Sequence, residues 1–335
     1  MKRPFRQACA LGSVFLLGFG VLYNQTAPLA AETEPRPIFK EFARPDEVPH
    51  PKNNPYSKAK AELGRRLFFD PLLSTSQIVS CGTCHNPGLA WGDGLVRSVG
   101  EGMRPLSRRS PTILNLAWAS TLFWDGRAET LEEQALEALR LPRVMNMPPE
   151  VLVQRIKNNG SYLPYFNEAF PNAGITSQTI AMAIGTFERT VVSGLSPFDR
   201  WNQGDQQAVS DSAKRGFQTF MNKGGCAECH GGWRFTDDSF HDIGLPDSDL
   251  GRGKILPQVE VMQHAFKTPT LRNVALRAPY MHDGSRATLA NVVEHYNKGG
   301  EANRPSLSDA IKPLRLSSVE RQDLVNFLQA LTSEY

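Results

Sequence analysis

Apolar residues recur at three- and four-residue spacing in seven stretches of the chain: 57–69, 130–139, 149–159, 177–192, 210–223, 287–297 and 317–332. That period places an apolar stripe along one side of a helix, so the pattern predicts seven amphipathic helices. Polar or Gly/Pro-rich segments separate them, and no run alternates as a half-buried strand would. Ser177 and Ser317 read as N-caps, and Thr130 followed by Glu133 reads as a capping box. The expected fold is mainly α with long loops.

One apolar stretch is of another kind. Residues 8–23 (ACALGSVFLLGFGVLY) follow Lys2, Arg3 and Arg6 and precede Ala27, Ala30 and Ala31. The layout predicts a Sec-type signal peptide over residues 1–31, cut after Ala31, and hence an exported, periplasmic protein. An uncleaved anchor is the alternative, although the run is shorter than a usual bilayer span. The leader also explains the charge. The chain has 37 Lys and Arg against 34 Asp and Glu, and removing the three basic residues of the leader leaves 34 against 34. A balanced surface does not point to nucleic acid. About 300 residues remain, enough for two domains with real cores.

Of five cysteines, Cys9 lies in the leader and the other four form two copies of one pattern, CGTCH at 81–85 and CAECH at 226–230. In C-x-x-C-H, two thiols one helical turn apart can form thioethers to one haem, and the next residue offers a histidine nitrogen to its iron. A Cys₄ zinc site expects its CxxC halves about 15–20 residues apart. Thioredoxin-type redox pairs and disulfides leave the two histidines unexplained. The motifs therefore predict two covalently bound haem c groups, haem 1 on Cys81, Cys84 and His85, and haem 2 on Cys226, Cys229 and His230.

The chain also repeats itself. PTILNLAWASTLFWDGRAETLEEQ starts at Pro111 and PTLRNVALRAPYMHDGSRATLANV at Pro269. At one offset, Pro111, Thr112, Asn115, Ala117, Asp125, Gly126, Thr130 and Leu131 meet Pro269, Thr270, Asn273, Ala275, Asp283, Gly284, Thr288 and Leu289. Duplication of one haem-binding unit is the economical reading, with domains at 32–200 and 201–335 and a junction near residues 193–205. The same offset pairs Tyr296 with Ala138. Tyrosine is a competent haem ligand and alanine is not. If the position is distal, Tyr296 completes haem 2 while haem 1 keeps an open face; otherwise Tyr296 is ordinary packing.

CGTCHNP, SPTILN, FWDGRAETLEEQA, KGGCAECH, FKTPTLRNVALRAPYMHDG and VVEHY together closely resemble the bacterial dihaem cytochrome c peroxidase and MauG superfamily, over nearly all of the chain after the leader. The resemblance implies two mostly helical domains and a periplasmic enzyme using hydrogen peroxide, with haem 1 as the peroxide site and haem 2 as an electron-transfer site. It implies that Trp124 lies between the haems and Gln134 in the distal pocket of haem 1. Arg127, Arg272 and His282 would lie near the haems and their propionates. Peroxidases of the superfamily have methionine where this chain has Tyr296, and a gating histidine where it has Glu101. MauG-like members have the tyrosine.

Two positions depart from the pattern. Val144 stands where the family has a distal glutamate, and a valine carries no proton; acid–base help at such a site is commonly worth about 10²–10⁴-fold. Gln134 with a water, or Glu137, are the candidates to replace it. Arg109 stands where an asparagine supports a Ca²⁺ in the peroxidases, so one Ca²⁺ is a weak expectation. Met281 and Met262 are spare ligand candidates for haem 2, although Met281 pairs with Phe123 in the repeat, which suggests packing. His241, His264 and His295 read as surface or core histidines, and His50 as exposed in an N-terminal linker.

The implied function is MauG-like: peroxide-driven oxidation of a side chain on a partner protein, as in tryptophan tryptophylquinone formation on a methylamine dehydrogenase precursor. The alternatives are a peroxidase fed by a small cytochrome or cupredoxin, and a non-catalytic dihaem electron carrier.

Overall fold

A computed structural model describes residues 37–333; the expected leader lies outside them. The ten α-helices of the described residues are α1 Lys58–Phe69, α2 Cys81–Cys84, α3 Leu131–Arg140, α4 Pro149–Asn158, α5 Leu163–Ala169, α6 Ser177–Arg189, α7 Pro197–Asn202, α8 Asp211–Met221, α9 Leu289–Lys298 and α10 Ser318–Gln329. All seven expected helices are present. Three others escape a periodicity search because they are too short: α2 is one turn, while α5 and α7 have prolines in the first turn, a favoured entry to a helix. Sheet is limited to a two-residue antiparallel ladder, β1 Phe240–His241 with β2 Phe266–Lys267. No described helix is long and apolar enough to cross a membrane.

The caps follow the sequence with one shift. Thr130 and Glu133 close α3 reciprocally, as do Ser317 and Glu320 for α10. For α6 the cap is Thr176, boxed with Thr179, and Ser177 is the first helical residue. The helix also stops at Arg189 rather than running to 192, because the Val191 carbonyl accepts the amide of Asn115 (2.9 Å). The second half does the same, with Leu331 accepting from Asn273 (3.0 Å) just after α10.

Two helix crossings build two cores. In the first, α1 lies on α6 so closely that a Cβ on Gly64 would sit 1.9 Å from the carbonyl oxygen of Ala183. In the second, α8 lies on α10 with Gly216 in the same role, 2.0 Å from that of Asp323. The first core holds Leu63, Phe68, Ile156, Phe166 and Ile180; the second is an aromatic cluster of Phe198, Phe217, Phe220, Phe235 and Phe327. Phe42, near the start of the described chain, packs into the second core, and the Ile38 amide donates to Asn202 O (2.8 Å).

The repeat survives into three dimensions. α3 and α9 begin and end at the same offset as the sequence identities. So do the turns before them: Phe123 and Met281 (φ +65° and +69°), Gly126 and Gly284 (φ +66° and +71°), and the bridges Leu122–Ala128 and Tyr280–Arg286. Met281 repeats Phe123 in an uncommon left-handed conformation, and both side chains line the cavity described below.

Candidate haem sites

Both C-x-x-C-H motifs open into one continuous cavity of about 880 Å³. α2 turns Cys81 and Cys84 toward it, and a 3₁₀ turn at Cys226–Glu228 does so for the second motif. None of the four cysteines is in a disulfide, which removes that reading. Burial pushes the thiols up, Cys81 and Cys226 to about 12 and Cys84 to about 11. Each histidine is held by its Nδ1, His85 against the carbonyl of Trp91 (3.2 Å) and His230 against that of Phe235 (2.9 Å). A carbonyl at Nδ1 fixes the tautomer with a bare Nε2 facing the cavity, the form that ligates a metal. Burial lowers both pKa values, which favours this neutral ring. The buried Nε of Arg109, in the cavity wall, has no hydrogen-bond partner among the described residues. A large anionic cofactor with carboxylates suits that donor. The residues present fit two haem c groups.

α3 and α9 supply equivalent stretches of the wall. Gln134, Ala135, Ala138 and Leu139 line it from α3, and Val292, Val293 and Tyr296 from α9. Ala138 and Tyr296 thus occupy matching places, a methyl in one half and a phenol in the other. Burial raises the Tyr296 pKa, with Cys226 and Cys229 adding to it, so the phenol lies near the second motif. Val144 also lines the cavity, whereas Glu137 does not: its carboxylate is ion-paired to Arg127 (2.5 Å).

The junction of the halves is self-complementary. The Arg109 amide donates to the carbonyl of His282 (3.0 Å), and the Lys267 amide to that of Trp124 (2.8 Å). Arg109 repeats at Lys267, and Trp124 at His282, so the same contact is made twice with the halves exchanged. Between these bonds the rings of Trp124 and His282 meet edge to face at 6.3 Å, and Trp124 Nε1 donates to Arg109 O (2.9 Å). His282 stacks on Phe266 (3.5 Å) and has Asp247 3.4 Å from its Nε2, without hydrogen-bond geometry.

Other expected site residues lie elsewhere. Arg127 grips Asp125 through both carboxylate oxygens and lies over the Phe123 ring at the cavity wall. Arg272 is fully buried and tied to Asp199 (2.6 Å) and the Trp233 carbonyl, and it does not line the cavity. Glu101 accepts from the amide and hydroxyl of Ser76, closing a loop outside the cavity wall. His295 is a core histidine held by Ile243 O (2.9 Å), and His241 is paired with Asp237 (2.8 Å), which raises its pKa to about 10. One cavity residue escaped the sequence reading. Glu188 on α6 is buried, lines the wall and leaves Oε2 without a hydrogen-bond partner among the described residues. In sequence it is one acid of a helix, and only its tertiary placement distinguishes it.

Two tandem cytochrome c-like units with a haem site in each half define a dihaem c-type cytochrome. Residues 58–207 match the di-haem cytochrome c peroxidase family and residues 213–332 the cytochrome c family. The chain is 54% identical to the methylamine utilization protein MauG of Methylorubrum extorquens, covering 88% of this chain and 84% of that protein. It is 49% identical to the MauG of Methylophilus methylotrophus, covering 88% and 89%. A solved MauG-like protein associated with microbial copper homeostasis superposes with a TM-score of 0.80 at 32% identity, over 89% of this chain and 95% of that one. The chain belongs to the di-haem cytochrome c peroxidase and MauG family, and is a haem-dependent oxidoreductase of the MauG-like kind.

Proposed function

We propose that this protein uses hydrogen peroxide at haem 1 to oxidise side chains on a partner protein. Haem 1 would be held by Cys81, Cys84 and His85 in a domain of residues 32–200. Haem 2 would be held by Cys226, Cys229, His230 and Tyr296 in a domain of residues 201–335. The observation that carries the reading is the matched pair Ala138 and Tyr296. One half has a methyl group beside a polar Gln134 on the cavity wall, and the other has a phenol that would be able to ligate the haem iron. When bound, the haems supply the redox chemistry that cleaves peroxide and holds its oxidising equivalents.

The residues of the chain do the rest. His85 and His230 present Nε2 because the carbonyls of Trp91 and Phe235 hold Nδ1. An anionic oxygen ligand favours oxidised iron, so Tyr296 suits a second haem that must retain oxidising charge. Trp124, fixed by Arg109 O, places an aromatic ring at the junction, through which the halves would exchange electrons. With Val144 unable to move a proton, Gln134 would orient peroxide or water at haem 1. Glu137 stands off the wall and would serve by holding Arg127. Arg127 and His282 would lie near the haem propionates, and Arg272 would brace the second core.

The MauG relatives make the methylamine dehydrogenase precursor the first partner to try, with tryptophan tryptophylquinone as product. A periplasmic location after loss of residues 1–31 fits such a partner. One Ca²⁺ near the domain junction would have to accommodate the buried guanidinium of Arg109.

The test is low-temperature EPR of the diferric protein and of Tyr296→Phe. One high-spin and one low-spin haem are expected, with only the low-spin signal altered by the substitution. Both signals should then disappear on adding an equivalent of peroxide. Two low-spin haems indifferent to peroxide would leave an electron carrier. Fast peroxide turnover with a reduced cytochrome or cupredoxin, and none with a protein substrate, would leave a peroxidase.

A further inference from the structure

Glu188 has no part in the scheme above. It lies in the last turn of α6, retains 4% of its exposure, and lines the cavity beside Ile184 on the same wall as Cys81. Its carboxylate is close enough to that thiol to raise its pKa. Two charged side chains face it, Arg189 from its own helix and Glu132 from α3. The arginine is already committed, gripping Glu132 through two hydrogen bonds (2.7 and 2.9 Å), and it is close enough to His50 to help lower that ring's pKa. Burial, opposed by Arg189 and reinforced by Glu132, pushes the Glu188 carboxyl up to about 8.

The other half shows what this position needs for packing alone. Gly64 meets Ala183 and Phe187 of α6, and Gly216 meets Asp323 and Phe327 of α10. That register puts Leu328 in the place of Glu188, and Leu328 also lines the cavity. A leucine fills an apolar wall at no electrostatic cost, whereas an unpaired buried carboxylate is costly and a protonated carboxyl less so. The chain therefore places a carboxyl where packing requires none, in the same cavity wall as the proton-inert Val144.

We infer that Glu188 is the proton-holding group of the haem 1 cavity, taking up a proton when that haem gains an electron and releasing one when positive charge returns. Oxidised iron carries the extra positive charge that favours the carboxylate, and reduction removes it. Uptake binds one solvent proton to the carboxylate for each electron entering haem 1. In peroxide reduction the O–O bond breaks, and two electrons from the protein and two protons yield two waters. Glu188 supplies one of those protons, solvent supplies the other, and the carboxylate is reprotonated from solvent. The inference rests on haem attachment at His85 and is independent of which protein is oxidised.

Haem content is measured first, because fewer than two haems per chain would count against the attachment sites rather than against Glu188. The potential of each haem is then followed optically from about pH 6 to about pH 10, bracketing the carboxyl, in the wild type, Glu188→Gln and Glu188→Asp. The wild-type haem 1 potential should fall with rising pH at up to one proton per electron. The glutamine variant should be flat, the aspartate variant should recover the slope, and haem 2 should respond to neither. A glutamine variant that keeps the wild-type slope overturns the inference. Should that variant fail to take up haem, redox-difference infrared of the wild type decides. A protonated-carboxyl band appearing on reduction and shifting in D₂O is required, and its absence overturns the inference equally.

Discussion

The two halves are built on one plan and differ at the positions that touch their haem sites. α3 and α9 start behind a threonine N-cap and span the same repeat positions, and α1 on α6 repeats as α8 on α10 through glycines that let backbones touch. Within this shared frame, Ala138 corresponds to Tyr296, Gln134 to Val292, and Glu188 to Leu328, and all six line the cavity. The first half has a small side chain, an amide and a buried carboxyl around its haem site. The second has a phenol and two aliphatics. The shared scaffold therefore carries three unlike pairs of cavity-lining side chains, the difference on which the proposed division into an open site and a tyrosine-ligated one rests. The junction teaches the same lesson, since paired backbone hydrogen bonds of Arg109 and Lys267 hold unlike rings, Trp124 and His282.

Making the halves alike should have the largest effect. Ala138→Tyr puts a phenol over haem 1, so the high-spin EPR signal should give way to a second low-spin one. Peroxide consumption should fall by at least about 10²-fold, as when a catalytic site loses an essential group. An unchanged high-spin signal would show that position 138 is not distal. Next come the crossings. Gly64→Ala and Gly216→Ala each force a Cβ onto a carbonyl oxygen and should each cost about 1–3 kcal/mol or more, read from thermal or denaturant unfolding. A loss confined to one variant would break the equivalence of the two crossings.

The smallest effect is a slope. Glu188 is raised from 4.5 to about 8 in the folded chain, so over that window the unfolded chain releases this proton while the folded chain holds it. The folded state then binds more protons, and stability falls as pH rises, by at most about 1.4 kcal/mol per pH unit. Below that window both states are protonated and the term vanishes. Glu188→Gln should remove this part of the slope in unfolding curves at several pH values, and Leu328→Gln should leave it in place.

Much of this was legible in the residues. The long helices followed from period, and the Thr130–Glu133 capping box and the Ser317 N-cap marked two of their starts. α5 and α7 were not visible, because seven and six residues with a proline in the first turn carry too little period to count. The end of α6 was overestimated, because its terminus is set by Asn115, distant in sequence, taking the carbonyl of Val191. Among candidate site residues, the attachment motifs, Gln134, Trp124 and Tyr296 all line the cavity wall. Glu137 and Arg272 do not. Their nearest partners, Arg127 and Asp199, lie ten or more positions away and compete for them.

By itself the sequence determined the chemistry: two C-x-x-C-H motifs, a repeat in register, and a phenol opposite a methyl group are written as residue identities and spacings, which the chain carries whether folded or not. Only the tertiary structure decided which charged groups face the cavity and which are spent on one another. It joined both haem sites into one cavity, turned Glu137 onto Arg127, and left the carboxyl of Glu188 in an apolar wall. The physical reason is that a charge acts through what surrounds it. Burial and pairing are set by segments far apart in sequence, and no local pattern records them.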